Sequence, residues 1–214
     1  MVLKIVMVKI HKFQGDITED IAGSLKESVA IDTEATGLQI PERDKLSLIQ
    51  ICDKNGTVYI VQPDRKTYKA PNLVNILENN KILKIGHILR FDKNAIEFFL
   101  KCKIKNIFDT KIASKVVRTY TDQHGLKNLV YEFCNKNLDK RAGSSDWNKN
   151  INELTDKQLE YAANDVIYLH KIKNELEKML KRENRMDLYQ NCITFLDTRI
   201  ALDQSGFKFD IFEH

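Results

Sequence analysis

The chain has 214 residues, 43% hydrophobic and 30% charged, with 3 Pro, 8 Gly and no low-complexity tract; this fits one folded unit with a substantial core and excludes a linker-like disordered protein. The net charge of +4 suits a polyanionic partner without requiring one. The N-terminal MVLKIVMVKIHKF interleaves Lys with apolar residues, and no apolar run approaches the ~20 residues that cross a bilayer, so a cytoplasmic protein with no membrane partner is expected. Cys52, Cys102, Cys134 and Cys192 form no C-x-x-C pair, which points to reduced, packed thiols rather than a zinc site or disulfide framework.

Lys4 to Ile10 alternates as a strand, and ITEDIAGSLKES from Ile17 has helical spacing before Val29 to Ile31 return to strand character. KLSLIQIC (45–52) and TVYIV (57–61) flank the turn signal DKNG and predict a β-hairpin. PNLVNILENN predicts a helix, ILKIGHI a buried strand, and FDKNAIEFFLKC a helix starting close to Asp92. This alternation predicts the α/β class. From Asp109 onward the pattern is mostly helical. T-D-K-Q at Thr155 is a capping box. It is followed by an apolar stripe of Leu159, Ala162, Val166, Leu169, Ile172, Leu176 and Leu180 that predicts one long packed helix.

Asp32 and Glu34, in VAIDTEATGL, are two apart at the end of an apolar strand, so both side chains project to one face if the strand extends that far. Solvated turn residues are the plain alternative. An EF-hand loop is excluded because its twelfth position is Arg43 and the preceding VAI is not helical. Asp92 follows a buried strand, where capping the next helix would also explain it. Asp165 lies beside the apolar stripe with Tyr161 four residues earlier on nearly the same face. With Mg²⁺ or Mn²⁺, the acids Asp32, Glu34, Asp92 and Asp165 match the charge of two divalent ions, the arrangement that activates a water on one side of a phosphodiester and stabilises the leaving oxygen on the other.

IDTEATG, HILRFD and YAAND, in this order, resemble the three exonuclease motifs of the DEDD (DnaQ-like) superfamily, and Tyr161 resembles its tyrosine-bearing DEDDy branch. KLSLIQIC, FDTKIASKVVRTYTDQHGLKNLVYEF, SSDW and LTDKQLEYAANDVIYLHKI are similar to bacterial ribonuclease D over residues 20 to 180. The resemblance implies a ribonuclease H-like mixed sheet flanked by helices, as a single domain over 1–214 with a motif core at about 20–180 and a helical C-terminal extension at about 181–214. It further implies two divalent metal ions held by Asp32, Glu34, Asp92 and Asp165, and Tyr161 orienting the attacking water. The implied activity is hydrolytic release of 5′-mononucleotides from single-stranded RNA 3′ ends, tRNA precursors among the candidates. A DNA 3′-5′ exonuclease and an inactive nucleic-acid-binding module are the rival readings.

His87 occupies a family-like position, though a His at a strand end is often an ordinary polar residue. Thr36 and Gly37 follow the acids where a small backbone lets the terminal nucleotide approach, with a plain turn as the rival. Trp147 is expected to anchor its loop more than to stack on a base. Lys101, Lys103, Lys105, Lys111, Lys115 and Arg118 are candidates to track phosphates, or a solvated face. Departures from the family pattern are Ile88, where Asn is frequent, and Arg141-Ala142-Gly143 before SSDW. The helical C-terminal domains of longer ribonuclease D proteins are not expected within these 214 residues.

Overall fold

The computed structural model describes residues 8–37, 39–40, 42–138, 146–207, 209 and 211. Six strands form one mixed sheet: β1 (Lys9–Gln14), β2 (Ser28–Ala35), β3 (Leu46–Cys52), β4 (Thr57–Gln62), β5 (Leu83–Gly86) and β6 (Ile107–Asp109), in the spatial order β1-β4-β3-β2-β5-β6. β2, β3 and β4 pair antiparallel, whereas β1 joins β4, β5 joins β2 and β6 joins β5 in parallel. The described helices are α1 (Glu19–Ser24), α2 (Pro71–Glu78), α3 (Leu89–Leu100), α4 (Thr110–Val117), α5 (Leu126–Cys134), α6 (Asp156–Asn164), α7 (Leu169–Arg182) and α8 (Met186–Gln204). None of them is long and apolar enough to cross a membrane. The result is the helix-flanked mixed sheet with a helical C-terminal part that the resemblance implies.

The alternation of each strand divides the core in two. Val29 and Ile31 pack with Ile49, Ile51 and Val61 beneath α2 and α3, while Ala30 packs with Leu48, Cys52, Ile60 and Ile85 beneath α4 to α7. The hairpin forms as expected. Its turn uses Gly56 at φ 83°, and Asp53 Oδ1 accepts the N–H groups of Asn55 and Thr57 at 2.8 Å each. All four cysteines are free thiols.

Three expectations shift. The first strand is Lys9–Gln14 rather than Lys4–Ile10, because parallel pairing with β4 runs from Lys9 opposite Thr57 to Gln14 opposite Gln62; residues 4–7 lie outside the described ones. The third helix starts at Leu89, one turn before Asp92. The stripe from Leu159 to Leu180 belongs to two helices, not one. α6 ends at Asn164, Asp165 caps it, and the next residues close through bonds three apart, with Val166 N–H to Ala163 O and Leu169 N–H to Val166 O both at 3.2 Å. These tighter turns keep Val166 and Leu169 fully buried, so hydrophobic spacing does not report the break.

α8 runs beside the β6 edge and packs on both α3 and α4. Leu196 and Ile200 enter the α3-side core, and Tyr189 the opposite one. Tyr189 is fully buried against Phe108, and its hydroxyl oxygen accepts the Asp109 N–H at 2.9 Å. Tyr189→Phe is expected to lower unfolding free energy in urea by about 1–3 kcal/mol with little change in m-value, since it strands that buried N–H while keeping the ring.

Candidate metal centre

Because Ala30 faces α6 and α7, alternation places Asp32 and Glu34 on that same face and Thr33 on the α3 face. Pairing with β3 stays in register through Glu34 and shifts immediately after it, so regular strand geometry reaches the second acid. α6 is brought in by the capping box expected at Thr155. The Thr155 hydroxyl accepts the Gln158 N–H at 3.3 Å, and Gln158 Oε1 accepts the Thr155 N–H at 3.1 Å. One helical turn separates Tyr161 from Asp165, at its C-terminal end.

Oxygens of Asp32, Glu34 and Asp165 all lie within 4.8 Å of one another. Like charges this close repel unless a cation sits among them, and an all-oxygen, all-carboxylate donor set suits a hard divalent ion such as Mg²⁺ or Mn²⁺. The Tyr161 hydroxyl donates to Asp165. Burial, reinforced by the charges of Asp165, Glu34 and Asp32, holds this phenol well above its usual pKa, so it stays protonated. Trp147 is 4% exposed, with its ring centroid 6.1 Å from that of Tyr161. Arg65 Nη2 donates to the Trp147 carbonyl at 2.8 Å, and Gln62 Nε2 to the Lys149 carbonyl at 2.9 Å. Trp147 therefore anchors its loop and backs Tyr161.

Asp92 stands outside this cluster among the described residues. It lies in the first turn of α3, 4% exposed, with Oδ1 accepting the Thr33 hydroxyl at 2.5 Å. Burial pushes its carboxyl up to about 7; the Thr33 hydrogen bond opposes the rise and the nearby charge of Asp109 adds to it. Asp92 does not cap α3. The N-cap is Ile88, whose φ of 69° is rare for a β-branched residue, and Asp109 Oδ2 accepts the Leu89 N–H at 2.7 Å. Asp109 Oδ1 also accepts the N–H groups of Lys111 and Ile112 at 2.8 and 3.0 Å, so one buried carboxylate caps α4 and holds the start of α3. Sequence reading missed this role, although an Asp directly before a helical run is an N-cap signal.

His87 Nδ1 lies 2.9 Å from Thr110 Oγ1, which donates to the Gly86 carbonyl at 2.9 Å. The hydroxyl proton is thus committed, and the imidazole donates from Nδ1. Thr36 Oγ1 accepts the Lys45 N–H at 2.9 Å, and a Cβ at Gly37 would collide with the Asp44 carboxylate; both contacts are made within the turn. Of the basic candidates, Lys103 pairs with Glu97, Lys101 lies 4.2 Å over the Phe98 ring, and Arg118 is buried against Glu132. Lys111 and Lys115 line a cleft of about 660 Å³ beside Ile88 and Arg90. Arg141-Ala142-Gly143 lies outside the described residues.

Residues 6–181 match a family model described as 3′-5′ exonuclease. The chain belongs to this 3′-5′ exonuclease family. Ribonuclease D of Haemophilus influenzae is 34% identical over 159 residues, covering 73% of this chain and 38% of that protein. DNA polymerase I of Aquifex aeolicus is 31% identical over 159 residues, covering 70% of this chain and 24% of that protein. The chain thus spans less than half the length of these curated relatives. A solved structure of Brucella melitensis NrnC bound to pGG is 41% identical, covers 97% of this chain and 100% of that one, and superposes with a TM-score of 0.90. The same protein has been solved with bound Mg²⁺, at 40% identity and a TM-score of 0.88, covering 96% of this chain and 99% of that one.

In the metal-free protein the raised Asp92 pKa makes folding stability depend on pH. Its carboxyl keeps a proton up to about pH 7 when folded, against an ordinary value of 3.8. The folded state binds the extra proton between those values, so stability falls as pH rises through that window. In EDTA the protein is expected to melt lower at pH 8 than at pH 5. Asp92→Asn, which still accepts from Thr33, should reduce that fall and raise the melting temperature at pH 8. An unchanged pH dependence of thermal melts would contradict this.

Proposed function

We propose that the chain is a metal-dependent 3′→5′ exoribonuclease of the ribonuclease D type, releasing 5′-mononucleotides from single-stranded RNA 3′ ends by hydrolysis. The observation that carries this reading is the convergence of Asp32, Glu34 and Asp165 within 4.8 Å, with the Tyr161 hydroxyl donated to Asp165. In this reading the three carboxylates hold divalent ions, and Asp92, tied to the same strand through Thr33, is the fourth acid that balances the charge of two of them. Divalent ions held there would supply an activated water and stabilise charge on the leaving oxygen. Tyr161, being protonated, orients water through its hydroxyl rather than withdrawing a proton as a phenolate. Trp147 restricts the ring that carries this hydroxyl.

The Ribonuclease D relatives and the pGG held by NrnC support RNA as the substrate, and a ligand as short as pGG extends the expected range to very short RNAs. Thr36, Gly37 and His87 flank the acids and are proposed to line the path of the terminal nucleotide. The similarity to a DNA polymerase I favours a second reading, a DNA 3′-5′ exonuclease. RNA and DNA oligonucleotides of one sequence discriminate the two.

With a 5′-labelled RNA and Mg²⁺ or Mn²⁺, a ladder shortening from the 3′ end is expected, and EDTA should stop it. Asp32→Asn and Asp165→Asn should reduce turnover to near background while circular dichroism stays native; a folded variant with near-native activity would sink the assignment. Tyr161→Phe should lower kcat by ~10²–10⁴ and move KM much less. An unchanged kcat at saturating metal would leave Tyr161 as a packing residue only.

A further inference from the structure

Directly across the sheet from Asp32 lies Gln50, its antiparallel partner on β3. Paired residues share a face, and the neighbours agree: Leu48 and Cys52 on β3 and Ile60 on β4 all belong to the core beneath α4 to α7. Gln50 is therefore on the same side of the sheet as Asp32 and Glu34, and α6, which carries Tyr161, packs over β3 and β4. The residue is fully buried, yet neither its Oε1 nor its Nε2 has a hydrogen-bond partner among the described residues.

A buried amide with both ends unmatched is costly, and native proteins keep such groups rarely. A core position flanked by Leu48, Cys52 and Ile60 would be filled as well by Met or Leu, so packing does not account for an amide here. Directly opposed side chains on paired strands are within reach of one another. Of the two carboxylates bordering Gln50 within the sheet on this face, Asp32 lies directly opposite it and Glu34 on the diagonal, so Asp32 is the acceptor nearest in register. Carboxylates that hold metal ions are themselves hydrogen-bonded by neighbouring groups, which fix their orientation.

We propose that Gln50 is a positioning residue for the metal centre: its amide N–H group donates, directly or through one water, to the Asp32 carboxylate when that carboxylate holds a divalent ion. This rests on the metal-dependent reading above. The role assigns to Gln50 a contribution to ion affinity that is separable from, and opposite in sign to, its contribution to the stability of the ion-free fold.

The test is Mn²⁺ binding, followed by electron paramagnetic resonance with the whole chain, together with thermal melts in EDTA. Gln50→Met and Gln50→Leu preserve apolar volume and remove the donor. Both are expected to melt in EDTA at or above the parent temperature, because the unmatched amide is gone, and to bind Mn²⁺ about ten- to a hundred-fold more weakly. Should the parent chain bind no Mn²⁺, the metal reading fails and this proposal with it. If the parent binds Mn²⁺ and both variants bind equally well, Gln50 has no part in holding the ion. Loss of the fold in both variants would assign Gln50 to the core and overturn the proposal, as would lowered melting temperatures with unchanged affinity.

Discussion

Asp32, Glu34 and Asp165 hold like charges within 4.8 Å, and each is fixed so that mutual repulsion cannot spread them. Asp32 and Glu34 are set by a strand paired on one side with β3 and, in its first half, on the other with β5. Asp165 is set by the end of α6, whose start is pinned by the Thr155–Gln158 capping box and whose body is packed by Leu159, Ala162 and Ala163. The break after Asn164 then matters. It places Asp165 at a helix end, while the tightened turn still delivers Val166 and Leu169 to the core.

Behind β2 lies a second polar layer. Thr33 links the strand to Asp92, and Asp109 gathers N–H groups from the start of α3 and the start of α4. Tyr189 closes this layer from α8 by accepting the Asp109 N–H. The family match ends at residue 181, before α8 begins, yet α8 supplies side chains to both halves of the core and covers the β6 edge. An unpaired edge strand is otherwise open to other chains, so α8 completes the fold as well as buttressing the corner that carries Asp92.

The two layers differ in their electrostatics. On the α6 side, three carboxylates and a protonated phenol form a ready cation site. On the α3 side, burial and the nearby charge of Asp109 raise Asp92, and the Thr33 hydroxyl only partly offsets them. A single strand separates them, and the alternation of Asp32, Thr33 and Glu34 assigns one residue to one side and its neighbours to the other. A shift of one residue in the β2 register would exchange the two sets and abolish both layers.

Much of this was legible in the sequence because it depends on local spacing. The D-x-E pair on a strand, the capping box, the Asn-Gly hairpin and the turn between Tyr161 and Asp165 each follow from residues a few positions apart, where backbone geometry fixes the outcome. The sequence thereby determined the hard, oxygen-only character of the site and which acids could share a face. The interruption between α6 and α7 was hidden, since a tightened turn preserves the apolar spacing that a continuous helix would show. Asp109 as a shared cap, the placement of Asp92 behind β2 rather than in the carboxylate trio, and Gln50 opposite Asp32 depend on contacts between segments far apart in the chain. Only tertiary structure decided them, because strand register and helix docking, which no local pattern encodes, determine which distant side chains meet.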